Sequence, residues 1–267
     1  MNKSLELAKR NSSGKEQYYT RPHITEMCVE LASKYIDDHI VVEPSAGTGE
    51  FLKPLMERKI TYQAYDIEPK HPDVIEQDYL KFTPKPGKYF VIGNPPFGRN
   101  HSLSSKFFNK SAEYAEYIAF IIPKSWRKWS IQNRLDLNFS IIEDIELPSD
   151  IFYNHEGEGF GDNFNAVFQI WKRTEKPRKK VRIEDKSLVV KCDPQEVDVA
   201  ITYAGYSAGK VEVDFPRVKN TTKIYLKANK EVVKALQELD YSKLTENSAY
   251  TPSFGLEEIK AELNKLF

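Results

Sequence analysis

The four residues Asn94-Pro95-Pro96-Phe97 point most directly to a chemistry. They follow the apolar run 89–93, which is typical of a buried strand. An exocyclic amine such as adenine N6 is a weak nucleophile because its lone pair is delocalised into the ring. If the Asn94 side-chain oxygen and the Pro95 carbonyl accept its two hydrogens, the lone pair is directed at an incoming methyl group. The prolines fix φ and hold the carbonyls outward, and Phe97 offers a flat face to a base.

The simpler interpretation of this motif is a strand followed by a proline turn, since Asn-Pro is a common turn dipeptide. The residues upstream favour the chemical interpretation. Residues 40–42 predict a short buried strand and residues 50–58 a helix, and the turn between them reads Glu43-Pro44-Ser45-Ala46-Gly47-Thr48-Gly49. Glycines let a ligand approach the backbone, and a helix N-terminus carries partial positive charge. The sequence therefore predicts a cofactor site just before the Asn94 motif.

The residues around this turn distinguish three cofactor classes. No Gly-Lys-Ser/Thr follows, which disfavours a nucleotide P-loop. Leu52 stands where a dinucleotide fold has its third glycine. Glu43 suits the ammonium group of an amino-acid ligand, and S-adenosylmethionine carries one.

Two further acids follow in an order that suits the same cofactor. Asp66, followed by Ile67, ends the next apolar stretch about 20 residues past the glycines, where a carboxylate can accept hydrogen bonds from ribose hydroxyls. Asp78 can accept the adenine amino group, with Tyr79 beside the ring. Each acid alone is typical of a solvated loop or a helix cap. Together they predict a site for S-adenosylmethionine.

These motifs resemble the γ-class of amino-methyltransferases, chiefly DNA adenine-N6 methyltransferases. The segment Gln17-Tyr18-Tyr19-Thr20-Arg21-Pro22-His23 is similar to the extra motif that wraps the methionine end of the cofactor in that class, which implies contacts from Tyr18, Tyr19 and Thr20. Thr20 is also expected to cap a helix over 23–35, although Arg21 intervenes where the family has Thr-Pro. A capped helix without a cofactor contact is the alternative. The resemblance covers about residues 15–174.

The resemblance implies a fold and an activity. The fold is α/β, a Rossmann-like class I methyltransferase with a doubly wound, mainly parallel sheet, and the alternation of apolar runs with helical patterns predicts the same sheet. The activity is methyl transfer from S-adenosylmethionine to a flipped-out adenine of DNA, as in restriction-modification. Two alternatives stay open: transfer to RNA adenines or another amino group, and a non-catalytic cofactor-binding subunit.

Composition limits the remaining classes. The chain has 267 residues, with 39 basic and 39 acidic side chains, so its formal net charge of zero gives no bulk attraction to nucleic acid. Cys28 and Cys192 are far apart without clustered histidines, which predicts neither a metal site nor a disulfide framework. No apolar run reaches the ~20 residues that cross a bilayer, and the N-terminus is polar. We expect a cytoplasmic or nuclear protein, or a phage-encoded one in the host cytoplasm.

The sequence predicts three parts: a polar arm over 1–16, a methyltransferase domain over 17–174, and a small C-terminal α+β region over 175–267 for substrate recognition or an accessory role, with a partner subunit as a further possibility for target recognition. Residues 154–163, rich in glycine and acids, predict a mobile loop. Predicted strands in the C-terminal region are 197–203, 210–215 and 223–227, and predicted helices are 230–239 and 256–267.

Three basic clusters are candidates for nucleic-acid binding, and the last along the chain is segment 210–234, with seven basic residues against three acids. Lys124-Ser125-Trp126-Arg127-Lys128-Trp129 interleaves cations with tryptophans that we expect to be exposed, as phosphate contacts and base stacking require. Segment 172–182 has seven basic residues against one acid, including Arg178, Lys179 and Lys180. A solvated face and a linker are the alternative for this second cluster.

Overall fold

The structure is a computed structural model that describes residues 19–153, 159 and 164–267. It divides into two compact units, Met1–Lys180 and Val181–Phe267. The predicted arm, Tyr18 and all of the predicted 154–163 loop except Gly159 lie outside the described residues. In this described part, no helix is long and apolar enough to cross a membrane.

The first unit alternates strands and helices. Its helices are α1 (Pro22–Ile36), α2 (Leu52–Glu57), α3 (Ser102–Ser111) and α4 (Trp129–Gln132), with 3-10 turns at Tyr79–Lys81, Arg99–His101 and Lys124–Arg127. Its strands are β1 (Tyr19–Thr20), β2 (Ile40–Glu43), β3 (Tyr62–Asp66), β4 (Ile75–Glu76), β5 (Tyr89–Gly93), β6 (Tyr117–Pro123), β7 (Phe139–Glu146), β8 (Phe152–Tyr153) and β9 (Ala166–Arg173).

The central sheet has seven strands in the order β4-β3-β2-β5-β6-β9-β7. All neighbouring pairs from β4 to β6 are parallel, and β9 is antiparallel to both β6 and β7, so β9 alone runs against the others in this sheet. Chain order reverses between β2 and β5. Such a switch point opens a crevice at the carboxyl ends of the strands, where ligands bind. The predicted doubly wound, mainly parallel fold is confirmed.

Helices cover both faces of this sheet. On one face the Tyr35 ring of α1 lies 5.8 Å from Tyr117, whose ring stacks on Phe90 at 5.6 Å between centroids. On the other face Phe108 of α3 contacts Trp171 at 5.1 Å. Trp171 pairs with the strand neighbour of Tyr117, and successive side chains on a strand point to opposite faces. The sheet is therefore buried on both sides, which explains its nearly continuous apolar strands.

The start of α1 differs from the prediction. Thr20 does not cap the helix, because it lies in β1 and pairs with Phe152 of β8. Arg21 occupies the N-cap position without a side-chain capping bond, and Pro22 takes the first helical position, where its missing N–H leaves no bond unmade. The intervening arginine thus moves the helix start by one residue.

The second unit is a small α+β structure with its own core. Its strands are β10 (Val190–Lys191), β11 (Val199–Thr202), β12 (Val211–Glu212) and β13 (Lys223–Lys227), and its helices are α5 (Lys230–Glu238), α6 (Tyr241–Thr245) and α7 (Leu256–Leu266). The four strands form an antiparallel sheet in the order β10-β13-β11-β12. The predicted strand 210–215 is shorter than expected because the chain turns to bury Phe215 against Tyr225, 5.9 Å between ring centroids.

Candidate active site

A cavity of about 520 Å³ opens at the carboxyl ends of β2, β3 and β5. Its volume lies within the range of small-molecule and cofactor sites. The cavity lining brings together nearly all of the predicted catalytic and cofactor-binding residues: Tyr19, Thr20, Glu43, Pro44, Ser45, Ala46, Gly47, Asp66, Ile67, Asp78, Tyr79, Asn94, Pro95, Pro96 and Phe97. Gly49 is not among the lining residues.

The turn over residues 43–49, the glycine turn, needs its glycines for backbone reasons. Gly47 and Gly49 have φ of 47° and 83°, in the left-handed region that favours glycine. A Cβ on Gly49 would lie 2.9 Å from the His71 ring. The Gly47 carbonyl accepts a hydrogen bond from the Lys70 N–H at 3.0 Å. The turn therefore packs closely against the segment that follows β3.

Asp66 is oriented by two backbone N–H groups. Its Oδ2 accepts from Gly47 N at 2.8 Å and its Oδ1 from Glu68 N at 2.8 Å. Each carboxylate oxygen has further acceptor capacity, and the side chain lines the cavity. This geometry suits recognition of neighbouring hydroxyl groups, the role predicted for Asp66.

Glu43 is the most deeply buried acid of the site, with only 1% of its surface exposed. Gly93 on the adjacent strand leaves room for it, since a Cβ there would lie 2.3 Å from Glu43 Oε1. Burial, the largest cause, raises the pKa of Glu43 to about 8, the N–H of Ser45 opposes this rise, and the charge of Asp66 adds to it. A carboxyl in this state is suited to a ligand that brings its own positive charge.

The loop over residues 94–98 is anchored at both ends. At its start, Ser45 Oγ of the glycine turn donates to the Asn94 carbonyl at 3.1 Å. At its end, the Phe97 carbonyl accepts from Ser104 N in the first turn of α3 at 3.3 Å, and Gly98 turns the chain with φ of 66°. The glycine turn and the Asn94 motif therefore form one connected wall of the cavity.

Three phenylalanines, which we call the aromatic cluster, lie beside this loop. The ring of Phe97 stacks on Phe164 at 5.5 Å with an interplanar angle of 17°, and Phe152 contacts both rings at 6.1 and 5.4 Å. Phe168, on the neighbouring strand β9, is fully buried. Because one base between two rings needs a separation of about 7 Å, the Phe97 and Phe164 rings must move apart before a base can enter between them.

Asp78 and Tyr79, which are predicted to contact the adenine of the cofactor, have structural roles as well. Asp78 Oδ1 accepts from Leu80 N at 3.0 Å, and Oδ2 lies 3.2 Å from Lys81 Nζ. Tyr79 is a core residue whose hydroxyl bonds to Ser111 Oγ at 2.7 Å, and burial raises its pKa well above the usual value. Both still line the cavity, so Asp78 keeps acceptor capacity on its exposed side.

Sequence reasoning missed several lining residues. Leu103 and Phe107 carried a signal, because they are four residues apart on one face of the helix after the Asn94 motif. Lys70 carried none, although its Nζ lies 2.7 Å from the Tyr19 hydroxyl across the glycine turn. The others are Thr48, Glu50, Phe51, Glu68, Leu80 and Gly98.

The first basic cluster, residues 124–129, differs from the prediction in the exposure of its tryptophans. Trp126 is fully buried, because the 3-10 turn directs it into the core against Phe108, 5.8 Å between ring centroids. The expectation of two exposed tryptophans is therefore wrong, and Trp129 is only half-exposed. Lys124 and Arg127 face acids, at 2.9 Å and 2.6 Å from Glu146 Oε1. Lys128, also half-exposed, follows them at the end of the turn.

The second basic cluster separates into bound and exposed cations. Arg178 is half-buried, lies over the Trp171 ring at 5.2 Å and donates to backbone carbonyls, including that of Phe139. Lys179 and Lys180 are exposed. Of these three, the two lysines are better placed than Arg178 for phosphate contacts.

The sheet order together with a glycine turn and an Asn-Pro-Pro-Phe loop at the switch point defines the class I methyltransferase fold. The type II methyltransferase M.HincII of Haemophilus influenzae is 34% identical over 104 residues, 38% of this chain and 20% of that protein. The protein ENHANCED DOWNY MILDEW 2 of Arabidopsis thaliana is 25% identical over 249 residues, 81% of this chain and 19% of that protein. The chain spans about a fifth of the length of the curated relatives it matches.

Among solved structures, magnesium protoporphyrin IX methyltransferase from Synechocystis, with bound S-adenosylmethionine, has a TM-score of 0.43 and 14% identity over 57% of this chain and 79% of that chain. No family model matches the chain. The methyltransferase relatives confirm the resemblance that the motifs predict, and they support S-adenosylmethionine as the cofactor.

Proposed function

We propose that this protein transfers a methyl group from S-adenosylmethionine to N6 of an adenine that is extruded from duplex DNA. The observation that carries the proposal is the hydrogen bond from Ser45 Oγ to the Asn94 carbonyl, which joins the glycine turn to the Asn-Pro-Pro-Phe loop in one cavity. The residues proposed to hold the cofactor and those proposed to accept the amine hydrogens therefore line the same cavity. Such proximity is what a direct transfer between two bound molecules requires.

The acidic side chains of the cavity match the chemistry of the cofactor. Glu43, buried at the end of β2, would pair with the ammonium group, and Asp66, oriented by two N–H groups, would accept from the ribose hydroxyls. Asp78 would accept from the adenine amino group, beside Tyr79 and Ile67. S-adenosylmethionine supplies an electrophilic methyl group on a sulfonium. The fit rests on a Glu43 carboxyl that ionises when an ammonium group binds beside it, and on the oriented acceptor oxygens of Asp66.

The 94–98 loop would orient the acceptor amine. The amide oxygen of Asn94 and the carbonyl of Pro95 accept the two N6 hydrogens, so that the nitrogen lone pair turns away from the ring. Because the loop is fixed through Ser45 and through α3, these acceptors need not reorganise during the reaction. No dedicated base is needed for this activation, because N6 becomes strongly acidic once it carries the methyl group and releases its extra proton to water.

An adenine in a duplex cannot present N6 to this cavity while it is paired. Extrusion costs a few kcal/mol. Stacking on an aromatic ring returns about 1 to 3 kcal/mol per base, and Phe97 is the ring next to Asn94. The exposed Lys179 and Lys180 are candidates for phosphate contacts that hold the opened strand.

The proposal is tested by incubating the protein with methyl-labelled cofactor and separate pools of duplex DNA, single-stranded DNA, RNA and protein. We expect label in duplex DNA, recovered as N6-methyladenine after digestion, and none with Asn94→Ala protein prepared in the same way. Label in RNA alone would replace DNA by RNA as the substrate. Label in no pool, with cofactor binding intact, would contradict the catalytic role.

The pKa of Glu43 predicts a pH dependence for cofactor binding. Below pH 8 the carboxyl is mostly protonated in the free protein, and an ammonium partner favours its ionised form, so binding releases a proton. Affinity for S-adenosylhomocysteine should therefore rise from pH 6 to pH 7.5, by up to about tenfold per unit. Calorimetry in two buffers of different ionisation enthalpy measures the proton release. Glu43→Gln should bind more weakly and without this slope, and an equal slope in that variant would exclude Glu43 as its source.

A further inference from the structure

Arg21, the residue that intervenes in the N-terminal motif, joins that motif to residues 150–152. Its backbone N–H donates to the Ile151 carbonyl at 2.9 Å. Its Nε donates to the Asp150 carbonyl at 2.9 Å, and its Nη2 lies 3.0 and 2.9 Å from the two Asp150 carboxylate oxygens. Arg21 therefore donates hydrogen bonds to two backbone carbonyls, from its main chain to Ile151 and from its side chain to Asp150, and it forms an ion pair with the Asp150 carboxylate.

The segment is shaped to receive this arginine. Asp150 has φ of 59°, a left-handed conformation that aspartate adopts more readily than most residues, and its carbonyl and carboxylate both meet the guanidinium. Gly159, which forms a bridge with Tyr153, leaves the space that the pair occupies. A Cβ on Gly159 would lie 2.4 Å from Asp150 Oδ1 and 3.0 Å from Arg21 Nη2.

The two ends of this connection lie at different parts of the site. Tyr19 and Thr20, directly before Arg21, line the cavity at the proposed cofactor end. Phe152, directly after Ile151, contacts Phe97 and Phe164 in the aromatic cluster. In addition, Thr20 and Phe152 are partners in the β1–β8 pair. Arg21 therefore helps to hold the N-terminal motif against residues 150–152, which contact the aromatic cluster through Phe152.

We propose that Arg21 is a positioning residue that couples cofactor binding to the arrangement of the aromatic cluster, and through it to binding of the target base. The inference rests on the proposed function. The Arg21 and Asp150 side chains are 28% and 46% exposed. An ion pair with this exposure adds little to overall stability, so its effect is local. By linkage, a cofactor that favours one arrangement of the cluster changes base affinity by the same factor as the base changes cofactor affinity.

The structure offers a closely matched control. Arg58 pairs with Glu26 of α1 at 2.5 Å, with exposures of 28% and 45%. Arg58→Met therefore removes an ion pair of similar exposure that involves α1, and neither Arg58 nor Glu26 lines the cavity. Arg21→Met removes the cation and keeps the length of the side chain. Gly159→Ala perturbs the same pair without removing a charge.

The first measurement is hydrogen exchange of residues 147–153 with and without S-adenosylhomocysteine. In the wild type and in Arg58→Met, we expect the ligand to slow exchange about fivefold or more, the lower end of common coupling strengths. In Arg21→Met the ligand should still bind, but exchange of this segment should not respond, and Gly159→Ala should give an intermediate response. An equal response in Arg21→Met, or its equal loss in Arg58→Met, overturns the proposal, as does no response in the wild type.

The second measurement uses the nucleic acid that the wild type methylates. The ratio of its dissociation constants without and with S-adenosylhomocysteine should be about fivefold or more in the wild type and in Arg58→Met, and close to one in Arg21→Met. A wild-type ratio retained in Arg21→Met overturns the coupling. If no pool is methylated but the exchange response depends on Arg21, the proposed function fails and the connection stands. If DNA is methylated and the exchange response does not depend on Arg21, the coupling role of Arg21 is contradicted and the proposed function is not.

Discussion

Replacing Asn94 with alanine is expected to abolish measurable turnover, with a loss on the order of 10³ in kcat. The substitution removes the amide oxygen that accepts an N6 hydrogen in the proposed mechanism, and it leaves the backbone of the loop in place. The Asn94 carbonyl still accepts from Ser45, and the Phe97 carbonyl still meets α3. Single-turnover kinetics with saturating cofactor, on the substrate found by the pool experiment, measure the chemical step directly.

Cofactor affinity and a Ser45 variant distinguish loss of the Asn94 amide from general damage to the site. Cofactor affinity of Asn94→Ala, measured by calorimetry, should stay within about threefold of the wild type, because the proposed site assigns the strong polar contacts to Glu43 and Asp66. Ser45→Ala removes the hydroxyl that holds the Asn94 carbonyl and should lower kcat by less than Asn94→Ala. Turnover near the wild-type level in Asn94→Ala would mean that the amide-acceptor mechanism is wrong.

The site could be predicted where chemistry is local in sequence. The glycine turn needs glycines with a left-handed backbone, and the Asn94 motif needs prolines, so both can be recognised from short stretches of the sequence. Their common location follows from topology, because β2 and β5 are neighbours in a mainly parallel sheet whose strands end at one edge. Boundaries follow the same logic: α1 was predicted over 23–35 and is Pro22–Ile36.

What could not be predicted depends on contacts between distant segments. The direction of Trp126 is set by a short 3-10 turn above the core, and alternation of tryptophans with cations does not encode it. The stack of Phe97 on Phe164 joins two loops that no pattern pairs. The contacts of Arg21 could not be predicted for the same reason. In the sequence it interrupts the N-terminal motif after Thr20, whereas its partners are Asp150 and Ile151. The functional role of the second unit likewise stays a prediction.

Replacing Asp66 with alanine is expected to weaken cofactor binding by about 1.5 to 3 kcal/mol, roughly a tenfold to 150-fold rise in Kd. Two effects act in the same direction. The variant loses charge-assisted hydrogen bonds to the ribose hydroxyls, and it leaves the N–H groups of Gly47 and Glu68 without the carboxylate that orients them. The glycine turn should therefore bind less well even to ligands that lack the ribose contact.

Two further variants separate these effects. Asp66→Asn keeps an acceptor oxygen for one of the two N–H groups but removes the charge, so its Kd should lie between those of the wild type and Asp66→Ala. Asp73→Ala removes a 53% exposed acid downstream of Asp66 that does not line the cavity, and it should bind as the wild type does. Calorimetry with S-adenosylhomocysteine at a fixed pH of 7.5 gives all four constants. Unchanged affinity in Asp66→Ala would remove Asp66 from the cofactor site, because an acceptor fixed by two N–H groups cannot contact the ribose without contributing to binding.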